Sequence, residues 1–163
     1  MTIISDALPP VKPASDLYEH LSYWQNRFNQ IVHTALERRM GALNTTVSQW
    51  SLMALLYHRE ADTVSDIARL IDLDPGAVTR LADRLQKKGF LRRASDPADR
   101  RSVILSLTRT GRKLVPDLAA AADENDRAFF GVLDEEERDQ FQTLLGKLLR
   151  SAEETESEGC RKP

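Results

Sequence analysis

The chain has 163 residues, 41% of them apolar and 29% charged, with a formal net charge of −2. At roughly 100–200 residues per domain this length fits one domain, and a chain of this size buries roughly 70% of its unfolded surface. No apolar run approaches the roughly 20 residues of a membrane-spanning helix, and one cysteine, Cys160, excludes an internal disulfide. The first fifteen residues carry Asp6 and three prolines in place of a signal peptide's apolar stretch. The expectation is a cytoplasmic protein with no membrane partner.

The small net charge conceals a split. From Thr63 to Lys113 there are twelve Lys/Arg against six Asp, a net +6, while the remainder holds eleven Lys/Arg against nineteen Asp/Glu, a net −8. A basic middle between acidic flanks is the footprint of a nucleic-acid surface; a solvated basic face with no partner is the plainer alternative.

In chain order, residues 1–14 read as a flexible N-terminus. From Ser15 to about Gly41, Leu17, Leu21, Trp24, Phe28, Ile31 and Ala35 recur at gaps of four and three, a heptad-like seam on a long helix that needs a partner. Gln49 to His58 is apolar nearly all round, as in a short buried helix. Thr63 offers a hydroxyl cap to a helix packed by Ile67, Ala68, Leu70 and Ile71. Asp74 followed by Pro75 repeats the start signal, and that helix runs to Lys88 and stops at Gly89. Two helices joined by Asp72, Leu73 and Asp74 make a helix-turn-helix over 64–87.

Beyond Gly89 the period changes. Phe90 to Ala94 and Ser102 to Leu107 read as strands flanking a charged loop, so 90–107 is a hairpin wing. Thr108 caps a further long helix, in which Pro116 is tolerable only if the helix starts late or kinks. Asp134 to Glu137 resembles a capping box for a last helix with Leu144, Leu145, Leu148 and Leu149 on one face. Residues 152–163 read as an acidic tail that frays. The fold class is mainly α with a small β-hairpin, a winged helix-turn-helix.

On the helix after Pro75, Val78, Leu81, Ala82 and Leu85 form the buried stripe. Gly76, Ala77, Thr79, Arg80, Asp83, Arg84 and Lys87 are left on the outer face. Small residues at its start permit close approach to a groove, and arginine and threonine there have ready partners on base edges and phosphates; the alternative is that these arginines only pair with neighbouring acids. At the wing, an arginine on a loop tip suits the narrow minor groove, with Asp99 orienting a guanidinium of Arg100 or Arg101, unless the three form a salt-bridged turn with no ligand.

The run LQKKGFLRRASDPADRRSVILSLTRTGR, Leu85 to Arg112, resembles the signature of the MarR family of bacterial winged-helix regulators. It has a Leu-x-x-x-Gly helix end, a basic strand, a D-x-x-D-R-R wing and a Leu-Thr-x-x-Gly-Arg helix start. The resemblance extends over about 15–151. It implies a homodimer whose long helices (15–41 and 108–151) interlock and whose winged lobes bind a palindromic double-stranded DNA operator. In that frame Arg100 matches the minor-groove arginine, Asp99 and Arg101 its supporting pair, and Thr79, Arg80 and Arg84 the recognition helix. Many members release DNA when a small phenolic or carboxylate effector binds between the dimer helices and the lobe, where this chain offers Trp24, Arg27 and Trp50; Trp24 is equally readable as dimer core. The function expected is a ligand-responsive regulator, usually a repressor in this family.

Three other readings are weaker. Redox sensing would require a cysteine near the first helix, whereas Cys160 lies in the tail. His20, His33 and His58 lack a metal site's paired spacing, so neither metal nor cofactor is expected. No G-x-S-x-G, phosphate-loop or dinucleotide fingerprint marks an enzyme, and a protein-interaction module using the Leu17–Ala35 seam remains as another class.

Overall fold

The computed structural model describes residues 15–95 and 103–159. The N-terminal segment 1–14, the wing residues Asp99, Arg100 and Arg101, and Cys160 lie outside the described residues. A single 3₁₀ turn (Leu17–Glu19) leads into helices α1 (Leu21–Ala42), α2 (Val47–His58), α3 (Val64–Leu70) and α4 (Pro75–Lys87). The hairpin β1 (Leu91–Ser95) and β2 (Val103–Leu107) follows, then α5 (Arg109–Phe130) and α6 (Glu135–Gly159). This is the expected winged helix-turn-helix, mainly α with one small hairpin.

The capping signals read from the sequence act as implied: Thr63 accepts from the Asp66 N–H, Asp74 from Ala77 and Thr108 from Gly111. Thr46, not read as a cap, accepts from the Gln49 N–H. Each satisfies a backbone donor that a helix start leaves open. Asp134 and Glu137 exchange reciprocal bonds of 2.9 and 3.0 Å, a true capping box. Helix α3 ends with Asp72 in the left-handed region (φ 52°), and α4 with Gly89 (φ 75°). In both, the next residue bonds back over the last turn, Leu73 N–H to Ala68 and Phe90 N–H to Leu85, which is a Schellman closure. These two sharp stops set the helix-turn-helix corner and the entry to the wing.

Several boundaries differ from the sequence reading. The first helix is not continuous from Ser15: Asp16 caps the 3₁₀ turn, His20 is extended, and the Trp24 indole N–H donates to the Tyr18 carbonyl at 2.9 Å. A side chain thus takes a carbonyl that an unbroken helix would bond to Ser22. The second helix starts at Val47, not Gln49, because Thr46 supplies the cap. The hairpin strands start at Leu91 and Val103. Helix α5 starts early, so Pro116 lies in its interior and leaves the Arg112 carbonyl without its helical donor. Helix α6 runs past Ser151 to Gly159, through residues read as a fraying tail; no proline or glycine interrupts that stretch, and alanine and glutamate are good helix formers.

One core lies beneath the lobe. Met40 from α1, Leu52, Met53 and Leu56 from α2, Ile67 from α3, and Val78, Leu81 and Leu85 from α4 meet Leu91, Leu105 and Leu107 of the hairpin and Val115 and Leu118 of α5. The strands pair antiparallel with Leu91 opposite Leu107 and Arg93 opposite Leu105, so alternation sends leucines inward on both. The wing is anchored at its base by the Leu105 N–H donating to the Asp62 carbonyl at 2.8 Å and by the Thr63–Ile104 bridge.

Above the lobe, α1 and α5 pack together, joined by the Arg39–Glu124 ion pair at 2.8 Å and by Phe28 stacked edge-on to Phe130. Outside this contact several large apolar residues of α1 and α6 are exposed. Leu21 is 85% exposed, Ile31 52%, Leu148 65% and Leu149 63%.

Candidate nucleic-acid interface

Helix α4 is held by its inner stripe. Val78, Leu81, Ala82 and Leu85 are buried, while Gly76, Thr79, Arg80, Arg84 and Lys87 are exposed and Ala77 is half-buried. Of the seven residues that the sequence leaves on the outer face of this helix, five are thus exposed, and Ala77 and Asp83 are half-buried. A Cβ on Gly76 would come within 2.9 Å of Asp74 Oδ1 and 3.4 Å of Arg80 Nη1, the ends of two exposed side chains that can move aside. Arg80 lies 3.9 Å from the capping carboxylate of Asp74, with both side chains about two-thirds exposed. Such a contact is worth little in water and leaves the guanidinium able to turn outward. The outer ends of Arg84 and Lys87 extend the positive face along the helix.

Helix α3 backs this face. The Thr63 hydroxyl donates to Asp66 Oδ2 at 2.7 Å and Arg69 to Oδ1 at 3.1 Å. The Thr63 hydrogen bond, then that of Arg69, holds the Asp66 carboxyl below the usual carboxylate range.

Sequence reasoning missed the role of Arg93. It stands on β1 with Nη1 2.7 Å from Asp83 Oδ1 on α4, and its Nη2 donates to the Thr79 carbonyl at 3.0 Å. The acid on the outward side of α4 is thus paired with a wing residue, not with Arg80 or Arg84. A signal was available: period-two alternation puts Arg93 on the same side as Leu91, facing the protein, and an inward cation calls for an acid. The neighbouring Arg92 points the other way and bonds the Ser106 hydroxyl at 2.9 Å.

The glycine in the Leu-Thr-x-x-Gly-Arg segment has a steric role. The Thr108 hydroxyl donates to the Gly89 carbonyl at 2.7 Å, its N–H donates to the Phe90 carbonyl at 3.0 Å, and a Cβ on Gly111 would overlap that same carbonyl. Helix α5 therefore starts in backbone contact with the turn leaving α4.

The three proposed effector residues are not gathered into one visible pocket. Trp24 belongs to a cluster with Tyr18 and Tyr23, and Arg27 donates to the Tyr23 hydroxyl at 3.2 Å. Trp50 packs on α2 against the core, and its indole N–H is buried without a partner among the described residues. Among the described residues no cluster of three or more metal-ligating side chains occurs and no helix is long and apolar enough to cross a membrane.

The MarR family profile matches residues 45–103, from the start of α2 to the wing. The helix-turn-helix transcriptional regulator YhbI of Bacillus subtilis, itself uncharacterized, is 30% identical over 118 residues, covering 72% of this chain and 77% of the relative. The chain belongs to the MarR family of DNA-binding transcriptional regulators. Its fold is that of solved MarR-family regulators: the S. aureus MepR–DNA complex superposes with a TM-score of 0.75 at 26% identity, covering 81% of this chain and 98% of MepR. BpsR of Bordetella bronchiseptica, whose DNA binding is regulated by 6-hydroxynicotinic acid, gives 0.76 at 26% identity over 83% and 97%.

Proposed function

We propose that the protein is a cytoplasmic homodimeric repressor that binds a palindromic operator and is released by a small aromatic carboxylate. The observation carrying this reading is the outward side of α4, where Thr79, Arg80, Arg84 and Lys87 stand exposed beside the small N-terminal turn of Gly76 and Ala77. A helix of that composition enters a major groove with its N-terminal end at the base edges. Asp99, Arg100 and Arg101 are assigned to the wing tip and the adjacent minor groove, where the potential attracts arginine.

Dimerisation is supported by the bare apolar residues of α1 and α6, which a second copy would cover with the same residues of its own. The effector reading draws on Trp50, whose buried N–H has no acceptor among the described residues and could take one from a ligand; Trp24 and Arg27, which hold local partners in the single chain, are the aromatic platform and cation of the proposed site. Selection of duplexes from a random-sequence pool tests the DNA assignment, and an inverted repeat is the expected product. Tryptophan fluorescence titrated with aromatic acids, with and without that duplex, tests the switch, because linkage requires ligand and DNA to weaken one another by the same factor. Quenching with identical affinity in both conditions would remove the effector role from this site.

A further inference from the structure

We infer that Asp83 and Arg93 are positioning residues for DNA binding: their ion pair fastens the first strand of the wing to the recognition helix, so that helix and wing meet two grooves as one body. The inference rests on the DNA-reading assignment made above and concerns residues outside the proposed DNA contacts.

Three observations carry it. First, the guanidinium of Arg93 is used as a fork, with one nitrogen on the Asp83 carboxylate at 2.7 Å and another on the Thr79 carbonyl at 3.0 Å. Two bonds to one helix fix direction as well as distance, which a single flexible contact does not. Second, the Arg93 side chain is only 28% exposed, and its Nε is buried with no partner among the described residues. Burying that N–H is unfavourable, so the fork persists through its two bonds to α4. Third, the hairpin has only two strands, and such a hairpin is marginal unless packed on something else. The fork ties it directly to the helix carrying Thr79, Arg80 and Arg84.

The electrostatics make the inference separable from its simplest rival. Asp83 is a carboxylate on the side of α4 proposed to face a polyanion. If it acted only through its charge, Asp83→Asn would tighten DNA binding by removing repulsion. If it holds Arg93 in place, the same substitution must weaken binding, although the protein becomes more positive.

The experiment is a double-mutant cycle on the full chain, with Asp83→Asn, Arg93→Gln and the pair together. Each protein is titrated with a duplex selected by the parent from a random pool and with a shuffled duplex of the same composition. Each single variant is expected to lose about three- to tenfold in affinity for the selected duplex, a loss in the range of partly exposed ion pairs and somewhat above. The double variant should be no weaker than the weaker single one, because both remove the same contact. Affinity for the shuffled duplex should stay within about twofold, so the ratio between duplexes falls. Arg93→Lys keeps the charge but not the fork, and should fall between parent and Arg93→Gln. Parent-like or tighter binding of the selected duplex by Asp83→Asn, or additive losses in the double variant, would overturn the tether. A parent that selects no duplex would instead overturn the DNA-reading assignment itself, and the tether with it.

Discussion

Gly111→Ala is expected to destabilise the protein although it replaces a glycine inside a helix. In an unobstructed helix the change stabilises by about 0.4–1 kcal/mol, by raising helix propensity and restricting the unfolded chain. At Gly111 the added methyl would overlap the Phe90 carbonyl oxygen, with the carbonyl carbon at 2.9 Å and the Phe90 Cα at 3.1 Å. All three atoms are backbone, so no side chain can rotate away. Relief requires α5 to move off the α4–β1 turn, which strains the Thr108 bonds to Phe90 and Gly89 at 3.0 and 2.7 Å. Overpacking of this kind costs about 1–3 kcal/mol, and weakening a hydrogen bond adds about 0.5–1.5 kcal/mol. After the propensity gain, a net loss of about 1–3 kcal/mol remains, or roughly 3–10 °C in Tm for a protein of this size. Gly41→Ala is the internal control. It also lies in a helix, nothing stands within 4 Å of the added Cβ, and only the propensity gain applies, so its Tm should rise by roughly 1–4 °C. Thermal unfolding followed by far-ultraviolet circular dichroism measures both. A Tm for Gly111→Ala at or above the parent would refute the backbone-contact reasoning.

Arg100→Ala should weaken binding to a selected duplex strongly and reduce the salt slope by about one, leaving Tm nearly unchanged; equal affinity of variant and parent would remove Arg100 from the interface. Leu148→Glu combined with Leu149→Glu should convert a dimer to monomer in sedimentation, since both side chains are exposed in the single chain and charge there matters only against a partner; an unchanged dimer would place the interface elsewhere. Thr63→Ala should cost about 1 kcal/mol as a lost cap and raise the Asp66 titration midpoint, read by NMR, toward the ordinary range. Because that carboxyl is held below its usual value by Thr63 and then Arg69, its stabilising effect is present above the ordinary carboxylate pKa and is lost as pH falls through the lowered one. A midpoint identical in parent and variant would contradict the assigned cause.

The helix-turn-helix was legible because its punctuation is local. Thr63, Asp74 with Pro75, Gly89 and the Asp134–Glu137 pair each act within one turn, and each closes the backbone bond that its position implies. On β2, period-two alternation groups Val103 with Leu105 and Leu107; both leucines are buried, whereas Val103 at the strand's start is 41% exposed. What escaped depends on contacts between residues further apart or on competition. The break at His20 follows from the Trp24 indole reaching back to the Tyr18 carbonyl, which apolar spacing does not encode. The Asp83–Arg93 pair spans two elements, so neither residue alone reveals it. The segment containing Gly111 was recognisable as a motif, but its steric reason appears only when Phe90 is placed against it. The effector cleft was least legible, because Trp24 and Arg27 find local partners within the chain, and of the three residues Trp50 alone has a buried donor with no partner among the described residues.

The central claim is that α4 and the wing of a dimer read duplex DNA, and the salt dependence of affinity for a selected duplex tests it most directly. With six to ten phosphates neutralised by two copies, log affinity should fall linearly with log salt, losing roughly 10³–10⁵-fold between about 50 and 200 mM. The selected duplex should remain preferred over a shuffled one throughout, with two chains bound per site. Affinity that is indifferent to salt, or equal for selected and shuffled duplexes, would contradict the account.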